Sequence, residues 1–592
     1  MALRHVKRIL AHLSHDSYEP QTVEQIAEEL RIDDDPDGLA EAVETLKGEH
    51  KVTIDHMGRL RLPSLDDGAE VIGTLKTHPK GFGFVTTREL TREGDVFIPP
   101  NGMNTAMNGD VVRLQVRRDK RRPPGQQFSG QVIEVMERKR SSIVGTMSKR
   151  GSTWLLQPDG KRMNDPIVVR DAESKNVKEG DKAAIEIVEY AEHDLLAEGV
   201  IVKVLGEAGK PDVETQSVIE AFGLPGEFPD ACMDEARRIT DEFHEQIERF
   251  ENGESLPMRK DLTETFICTI DPPDAKDYDD AISIRRTDKG WELGVHIADV
   301  GHFVERGGDL DKEAYERGNS VYLPRLVIPM LPELLSNGIC SLQEGVARFA
   351  KSAFMSYDRH GNVRASGFSQ SIIKSAKRMT YLEAQALIDG DIEEAKKHAK
   401  TDTNYTDELI STVKEMDALA RAIRQRRERF GMISLELPDA ELVFDENGRV
   451  IDAVPEDDAF THTIIEMFMV EANEAVARLF ENIDVPLLRR IHPEPLPADT
   501  EDLRQVAMVA GFRIPKNPER EELQSLLNAT RGTPAARAVH MAVLRTLTRA
   551  EYSPALIGHF ALASASYAHF TSPIRRYPDL TVHRSLGAYL ER

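Results

Sequence analysis

Thr269-Ile-Asp-Pro-Pro-Asp-Ala-Lys-Asp-Tyr-Asp-Asp-Ala281 carries five aspartates, Asp271, Asp274, Asp277, Asp279 and Asp280, with Lys276 as the only cation among them. Like charges packed this densely cost free energy unless a cation neutralises them. The apolar segments on either side, Phe266–Ile270 and Ala281–Ile284, have the composition of strands. The carboxylates then crowd a turn between two strands, kept tight by Pro272 and Pro273. Hard oxygen ligands of this kind suit Mg²⁺. Two such ions can clamp the attacking and leaving oxygens of a phosphodiester. The competing reading is a solvated acidic loop. An EF-hand fits poorly, because no start within the run fills all the ligand positions or puts a glycine sixth.

The chain around this run has 592 residues, and single cores rarely grow beyond about 250–300 residues, so several domains are expected. Cys232, Cys268 and Cys340 are far apart and form no CxxC pair, which points to neither a disulfide framework nor a zinc site. A reducing cytoplasm fits. The N-terminal MALRHVKRILAHL is too polar for a signal peptide. No run of ~18 apolar residues exists to span a membrane. The formal charge of −25 taken whole argues against nucleic acid. Net charge is not charge distribution, however, and basic residues cluster at Arg117-Arg-Asp-Lys-Arg-Arg122 and Arg138-Lys-Arg140.

Residues 1–66 read as a winged helix-turn-helix, with a generic three-helix interaction module as the alternative. Val6, Ile9, Leu10 and Leu13 share one helical face, and Thr22 with Gln25 has the spacing of a capping box. A third helix is predicted near Asp37–Gly48, then a small wing turning at Met57-Gly58. Downstream, Val71-Ile-Gly-Thr-Leu75 is echoed by Ile143-Val-Gly-Thr-Met147, and Gly130-Gln-Val-Ile-Glu-Val135 by Gly199-Val-Ile-Val-Lys-Val204. Asn108-Gly-Asp110 and its following strand are echoed by Glu179-Gly-Asp181 and its own. The offsets are 72, 69 and 71 residues, so two copies of one small β-barrel are expected, at 67–137 and 138–210.

The first copy contains Lys80-Gly-Phe-Gly-Phe-Val85 and Asp95-Val-Phe-Ile98. Alternation puts Phe82 and Phe84 on one strand face, where Phe97 can join them, and Gly81 and Gly83 leave room for a base to lie flat. Aromatics beside Lys80 form a stacking platform for single strands. A cold-shock domain of the OB-fold type has this pattern. The second copy lacks the string, and Trp154 is its only obvious stacking candidate.

From residue 211 to 592 the chain reads as one large α+β unit, and the whole as a multidomain α+β protein. The acidic run, Val295-His-Ile-Ala-Asp-Val300, Ser320-Val-Tyr-Leu-Pro324, Val327-Ile-Pro-Met-Leu-Pro332, Leu335-Ser-Asn-Gly-Ile-Cys-Ser-Leu342 and His569-Phe-Thr-Ser-Pro-Ile-Arg-Arg-Tyr-Pro-Asp579 occur in this order. Together they resemble the ribonuclease II/R superfamily. The resemblance implies a processive hydrolytic exoribonuclease that works from the 3′ end of single-stranded RNA and releases 5′-mononucleotides with Mg²⁺. It implies that Asp271, Asp277 and Asp280 hold the metal and that Asp279 is most directly tied to cleavage. It also implies that Tyr322 packs on the 3′-terminal nucleotide and that Arg575 contacts phosphate. Family members normally continue past the Ile-Arg-Arg-Tyr-Pro-Asp helix into an S1 barrel, so the sequence reads as C-terminally truncated. A monomer is expected.

Elementary chemistry offers Arg575 the same task. Ser572 is a plausible N-cap with Pro573 at N1, which would put Arg575 in a helix's first turn beside free N–H groups. The alternative for Arg575 is an ordinary ion pair. His492 and His583 are left as structural histidines. The helix Thr463–Phe480 reads as core, with Glu466 and Glu471 on a solvated face. The rival functional readings are an inert RNA-holding fragment and, more remotely, a DNA-binding regulator built around the winged helix.

Overall fold

The computed structural model describes residues 2–591 apart from 15–17, 30–34, 79–80, 119–126, 139–141, 161–164, 191–195, 257, 436, 438–439, 456, 496–499 and 516–517. The chain divides into two compact units, Met1–Gly226 with Val443–Asp452, and Glu227–Leu442 with Ala453–Arg592. Among the described residues no helix is long and apolar enough to cross a membrane.

The first unit opens with α1 (Ala2–Leu13), α2 (Val23–Glu29) and α3 (Pro36–Gly48), then the hairpin of β1 (Thr53–Ile54) and β2 (Leu60–Arg61). Ile9 and Leu13 of the predicted face are buried with Ile26, Leu46 and Leu60. The Thr22 N–H donates to Gln25 Oε1 at 3.0 Å, and the Gln25 N–H to Thr22 Oγ1 at 3.4 Å, which satisfies two donors at the start of α2. On α3 the exposed positions include Asp37, Glu41 and Glu44, a surface ill suited to a phosphate backbone.

Ten strands follow. They are β3 (Glu70–Thr77), β4 (Gly83–Thr87), β5 (Val96–Ile98), β6 (Val111–Arg118) and β7 (Phe128–Glu137), then β8 (Ser142–Arg150), β9 (Thr153–Pro158), β10 (Ile167–Val169), β11 (Asp181–Glu189) and β12 (Glu198–Glu207). Each set of five closes into a barrel by the same path: first to second to third strand, third parallel to fifth, fifth to fourth, fourth to first. The three echoed segments lie on β3 and β8, β6 and β11, and β7 and β12. The repeated glycines have a packing reason. A Cβ on Gly73 would lie 2.3 Å from Thr86 O, and one on Gly145 2.2 Å from Gln157 O, so both copies need glycine where the first two strands close on each other.

The second unit is built on a seven-stranded sheet. Its strands are β13 (Arg259–Asp261), β14 (Cys268–Asp271), β15 (Asp280–Thr287), β16 (Gly290–Ala298), β19 (Ala347–Asp358), β20 (Val363–Lys374) and β21 (Lys377–Thr380), in the order β13-β20-β19-β16-β15-β14-β21. The hairpin of β17 (Val321–Leu323) and β18 (Leu326–Ile328) lies outside it. The sheet is apolar on both faces. Leu293, Val295 and Ile297 of β16 join one core with Phe468 and Val476, while Ala281 and Phe349 join another with Phe243 and Leu580. Strands covered on both sides must carry near-continuous apolar runs, as β16 does.

One expectation is corrected here. Glu471, on the helix Phe460–Asn482, is not on a solvated face: it is fully buried and paired with Arg426 and Arg427. Glu474 also reaches Arg427, at 2.9 Å, and the Tyr357 hydroxyl donates to Glu471 Oε2 at 3.1 Å. Burial works to raise the Glu471 pKa, but Arg427 and Arg426 outweigh it and hold the group below the ordinary range. Helical spacing alone does not reveal a partner supplied by a distant helix.

Candidate active site

The acidic loop leaves the sheet at Asp271, the last residue of β14, and returns at Asp280, the first of β15. Ser341 fixes its second half. The Tyr278 N–H donates to Ser341 Oγ at 3.1 Å, Ser341 Oγ donates to Lys276 O at 2.6 Å, and the Leu342 N–H donates to Tyr278 O at 3.0 Å. Asp274 is exposed on this loop.

Asp279 points inward and is 5% exposed. Its Oδ1 accepts the backbone N–H of Ile574 at 2.9 Å, and its Oδ2 lies 3.9 Å from Arg575 Nε. Asp279 Oδ2 and Asp271 Oδ2 are both buried without a hydrogen-bond partner. Burial pushes the Asp279 carboxyl well above the usual range, with the Ile574 N–H and then Arg575 pulling the other way. Asp271 is raised by burial and then by the charge of Asp280. Burial takes Asp280 up to about 6 against the pull of Arg575 and Arg576. Raised carboxylates with orphaned oxygens mark a place where negative charge lacks its counter-ion.

Tyr322, at the centre of β17, is 54% exposed, and its hydroxyl donates to Asp277 Oδ2 at 3.3 Å. Burial of the hydroxyl end and the Asp277 charge push its pKa to about 12, so it remains a phenol. The structure therefore brings Asp271, Asp277, Asp279, Asp280, Tyr322 and Arg575 to one place.

The local setting of Arg575 differs from expectation. Ser572 is not a helix N-cap. The Arg576 N–H donates to Ser572 O at 3.0 Å within a turn, and the helix begins only at Tyr577, with Arg576 at the cap position. Asp579 explains why: its Oδ1 takes the Ser572 N–H at 2.8 Å and Arg576 Nη2 at 2.7 Å, which closes the turn. Arg575 thus projects from a turn, with Nη2 donating to Ser572 Oγ at 3.1 Å, and stands ahead of the helix instead of in its first turn.

The donors present are hard carboxylate oxygens, two of them unsatisfied and buried, and this chemistry fits Mg²⁺. Among the described residues no set of three or more His, Cys, Asp or Glu side chains is drawn together closely enough to hold a metal ion. Mg²⁺ does not require such a set, since it keeps several waters and binds through one or two carboxylates plus substrate phosphate.

In the first barrel the rings of Phe82, Phe84 and Phe97 lie 5.6–5.8 Å apart, centroid to centroid, with Phe84 paired directly to Phe97 across β4 and β5. Phe84 is 38% exposed. Gly83 does not make room for a base: it faces the barrel interior, where a Cβ would meet Leu75 Cδ1 at 2.8 Å. Gly81 takes a φ of +86°, which favours glycine in that turn. Lys80 lies outside the described residues. The exposed ring of His78 stacks on Phe82 at 4.3 Å with a 7° interplanar angle. In the second barrel Trp154 packs against the core, with Lys149 Nζ 5.0 Å from its ring. Of the basic clusters, positions 119–122 and 139–140 lie outside the described residues, and Arg138 is committed to Asp110 at 2.8 Å and to the Tyr190 ring.

Sequence reasoning missed Ile574, whose contribution is a backbone N–H without any side-chain signal. It also missed Ser341, Arg378 and His78; of these Ser341 lay inside the Leu335–Leu342 string and His78 three residues before Gly81, while Arg378 had no cue. His583 is fully buried and bonds Phe570 O at 2.8 Å, and His492 bonds Thr548 O at 3.0 Å, both structural.

The chain matches the RNB domain over residues 259–592, the cold shock domain over 156–229 and the ribonuclease B OB domain over 73–129. It is 36% identical to ribonuclease R of Thermotoga maritima over 98% of this chain and 79% of that one. It is 31% identical to ribonuclease R of Escherichia coli over 99% of this chain and 70% of that one. The apo structure of Mycoplasma genitalium RNase R superposes with a TM-score of 0.76 at 28% identity, over 88% of this chain and 79% of that one. The chain belongs to the ribonuclease R family, exoribonucleases that join an RNB domain to cold-shock and OB-type barrels.

Proposed function

We propose that this chain hydrolyses single-stranded RNA processively from its 3′ end, releasing 5′-mononucleotides in a Mg²⁺-dependent reaction. The observation that carries this is Asp279: a buried carboxylate with one oxygen held by Ile574, the other without a hydrogen-bond partner and 3.9 Å from Arg575 Nε, beside Tyr322 and three further aspartates. RNA as the partner is supported by the Mycoplasma genitalium relative, solved with ribose-methylated single-stranded RNA.

Asp271, Asp277 and Asp280 would hold Mg²⁺, which when bound neutralises charge on the attacking and leaving oxygens. Tyr322 stacks on the terminal base and limits each cut to one nucleotide. Arg575 stabilises the charge that builds on the scissile phosphate. Asp279 accepts the proton of the attacking water as its oxygen bonds to phosphorus. The P–O3′ bond breaks, and the 3′ oxygen of the shortened RNA takes up a proton. The Phe82, Phe84, Phe97 and Lys80 face holds upstream nucleotides by stacking and charge.

Asp279→Asn tests the assignment. Asparagine keeps an oxygen for the Ile574 N–H and removes the charge. Mononucleotide release from end-labelled RNA should fall by about 10³-fold or more, as for loss of a proton acceptor together with its charge, with RNA binding in a gel shift retained. Unchanged release would refute it.

A further inference from the structure

We propose that Arg378 is a positioning residue that holds the acidic loop in the shape presenting Asp277 to a divalent cation. This rests on the assignment of Asp271, Asp277 and Asp280 as metal ligands. Arg378 stands on β21 opposite Thr269 of β14. Its Nη2 donates to Pro273 O at 2.8 Å and lies 3.5 Å from Ala275 O. The guanidinium sits 5.0 Å from the centroid of the Tyr278 ring, whose hydroxyl donates to the same Ala275 O at 2.6 Å.

The loop needs such a clamp. Pro272 and Pro273 remove two N–H donors, and its carboxylates repel one another. Within the turn, one backbone bond is made, Ala275 N–H to Pro272 O at 3.2 Å. Arg378 supplies donors to the first half of the loop and Ser341 grips the second half at Lys276 and Tyr278. Asp277 is flanked by the two residues that Ser341 holds and lies two residues past Ala275, the end of the stretch that Arg378 holds. Arg378 is itself rooted on both sides of its backbone, its N–H donating to Glu344 Oε2 at 2.8 Å and its carbonyl accepting Thr401 Oγ1 at 3.2 Å. Its Nε is buried without a hydrogen-bond partner, while the residue as a whole is half-buried and the Nη2 bond to Pro273 O is exposed.

A rival role predicts the opposite sign. A cation beside the carboxylates repels an incoming divalent ion, so if Arg378 acted only through charge its removal would tighten metal binding. A loop clamp predicts weaker binding, by about 10–100-fold, as for other residues that orient metal ligands.

Arg378→Met and Arg378→Lys in the full chain separate these. Hydrogen exchange over residues 271–280 in the metal-free protein should quicken in the Met variant while exchange elsewhere is unchanged. Mn²⁺ affinity, read by electron paramagnetic resonance without RNA, should fall about tenfold or more. The Lys variant, reaching one carbonyl, should fall between, and it serves alone if the Met variant does not fold. Unchanged exchange, or Mn²⁺ binding that is unchanged or tighter, overturns the proposal. Asp277→Asn in the same Mn²⁺ assay is the control for the ligand assignment. If it binds like the unaltered chain the assignment fails, and the exchange comparison still decides whether Arg378 holds the loop.

Discussion

The backbone N–H of Ser320 donates to the carbonyl of Arg575 at 3.0 Å. Two residues on, the Tyr577 N–H donates to Gly318 O at 2.9 Å, and Asn319 bridges Arg576. The stretch leading into the Tyr322 hairpin is thereby laced to the turn that carries Arg575. A group assigned to the terminal base and a group assigned to the phosphate are spaced by backbone hydrogen bonds, not by two independent loops. Strand-like pairing is stiff, and that stiffness is what an in-line cut at a fixed distance from the RNA end requires.

Tyr322 should matter through its ring more than its hydroxyl. Tyr322→Ala removes base stacking worth about 1–3 kcal/mol, so KM for short oligonucleotides should rise about 5- to 160-fold. Tyr322→Phe keeps the ring and loses a 3.3 Å hydrogen bond to Asp277, and should stay within about threefold of the unaltered chain. A Phe variant as impaired as the Ala variant would shift the role to the hydroxyl.

The aromatic face of the first barrel predicts additive stacking losses. Phe84→Ala and His78→Ala should each weaken single-stranded RNA binding by about 1–3 kcal/mol, measured by fluorescence anisotropy. The slope of log affinity against log salt should not move, because neither change removes a phosphate contact. A normal affinity in the Phe84 variant would place the RNA elsewhere.

Glu471→Gln should destabilise the second unit severely. It leaves Arg426 buried beside a neutral group and Arg427 with Glu474 as its remaining carboxylate, and breaking a buried pair by removing one partner costs about 3–5 kcal/mol. The thermal transition should drop by several degrees at pH 7, with the far-ultraviolet spectrum intact below it. An unshifted transition would mean that water reaches the arginines.

Buried histidines give the fold an acid limit. Burial, helped by Lys351, holds His583 down to about 3, and burial with Lys260 does the same for His296. Both are fully buried. In the unfolded chain they protonate near the ordinary value, about 6.5, so the unfolded state binds more protons between there and about 3. Stability is therefore full above this window and is lost as pH falls through it. His583→Gln should recover about 2 kcal/mol of the loss between pH 7 and pH 5 in urea titrations, relative to its own stability at pH 7. An equal loss in both proteins would contradict the assignment.

Much of this molecule was legible in local patterns. The paired barrels followed from echoed segments because a repeated strand set needs the same tight glycine crossings, as at Gly73 and Gly145. The acidic loop followed from charge density and its flanking apolar runs. Other features were not legible. Glu471 looked solvated because helical spacing shows which residues share a face but not which arginines lie against it. Arg575 looked like a first-turn residue because Ser-Pro is a good helix start in isolation, whereas Asp579 folds Ser572–Arg576 into a turn.

The amino-acid order by itself determined the kinds of element, the repeat and the clustering of carboxylates, since propensity, periodicity and like-charge density act over a few residues. The tertiary structure decided which distant groups complete the centre. Ile574 reaches Asp279 across a sequence separation of 295 residues, and Tyr322 reaches Asp277 across 45. Such contacts are made by sheet order and helix packing, which sum weak apolar terms over the whole unit, and no short window of sequence contains that sum.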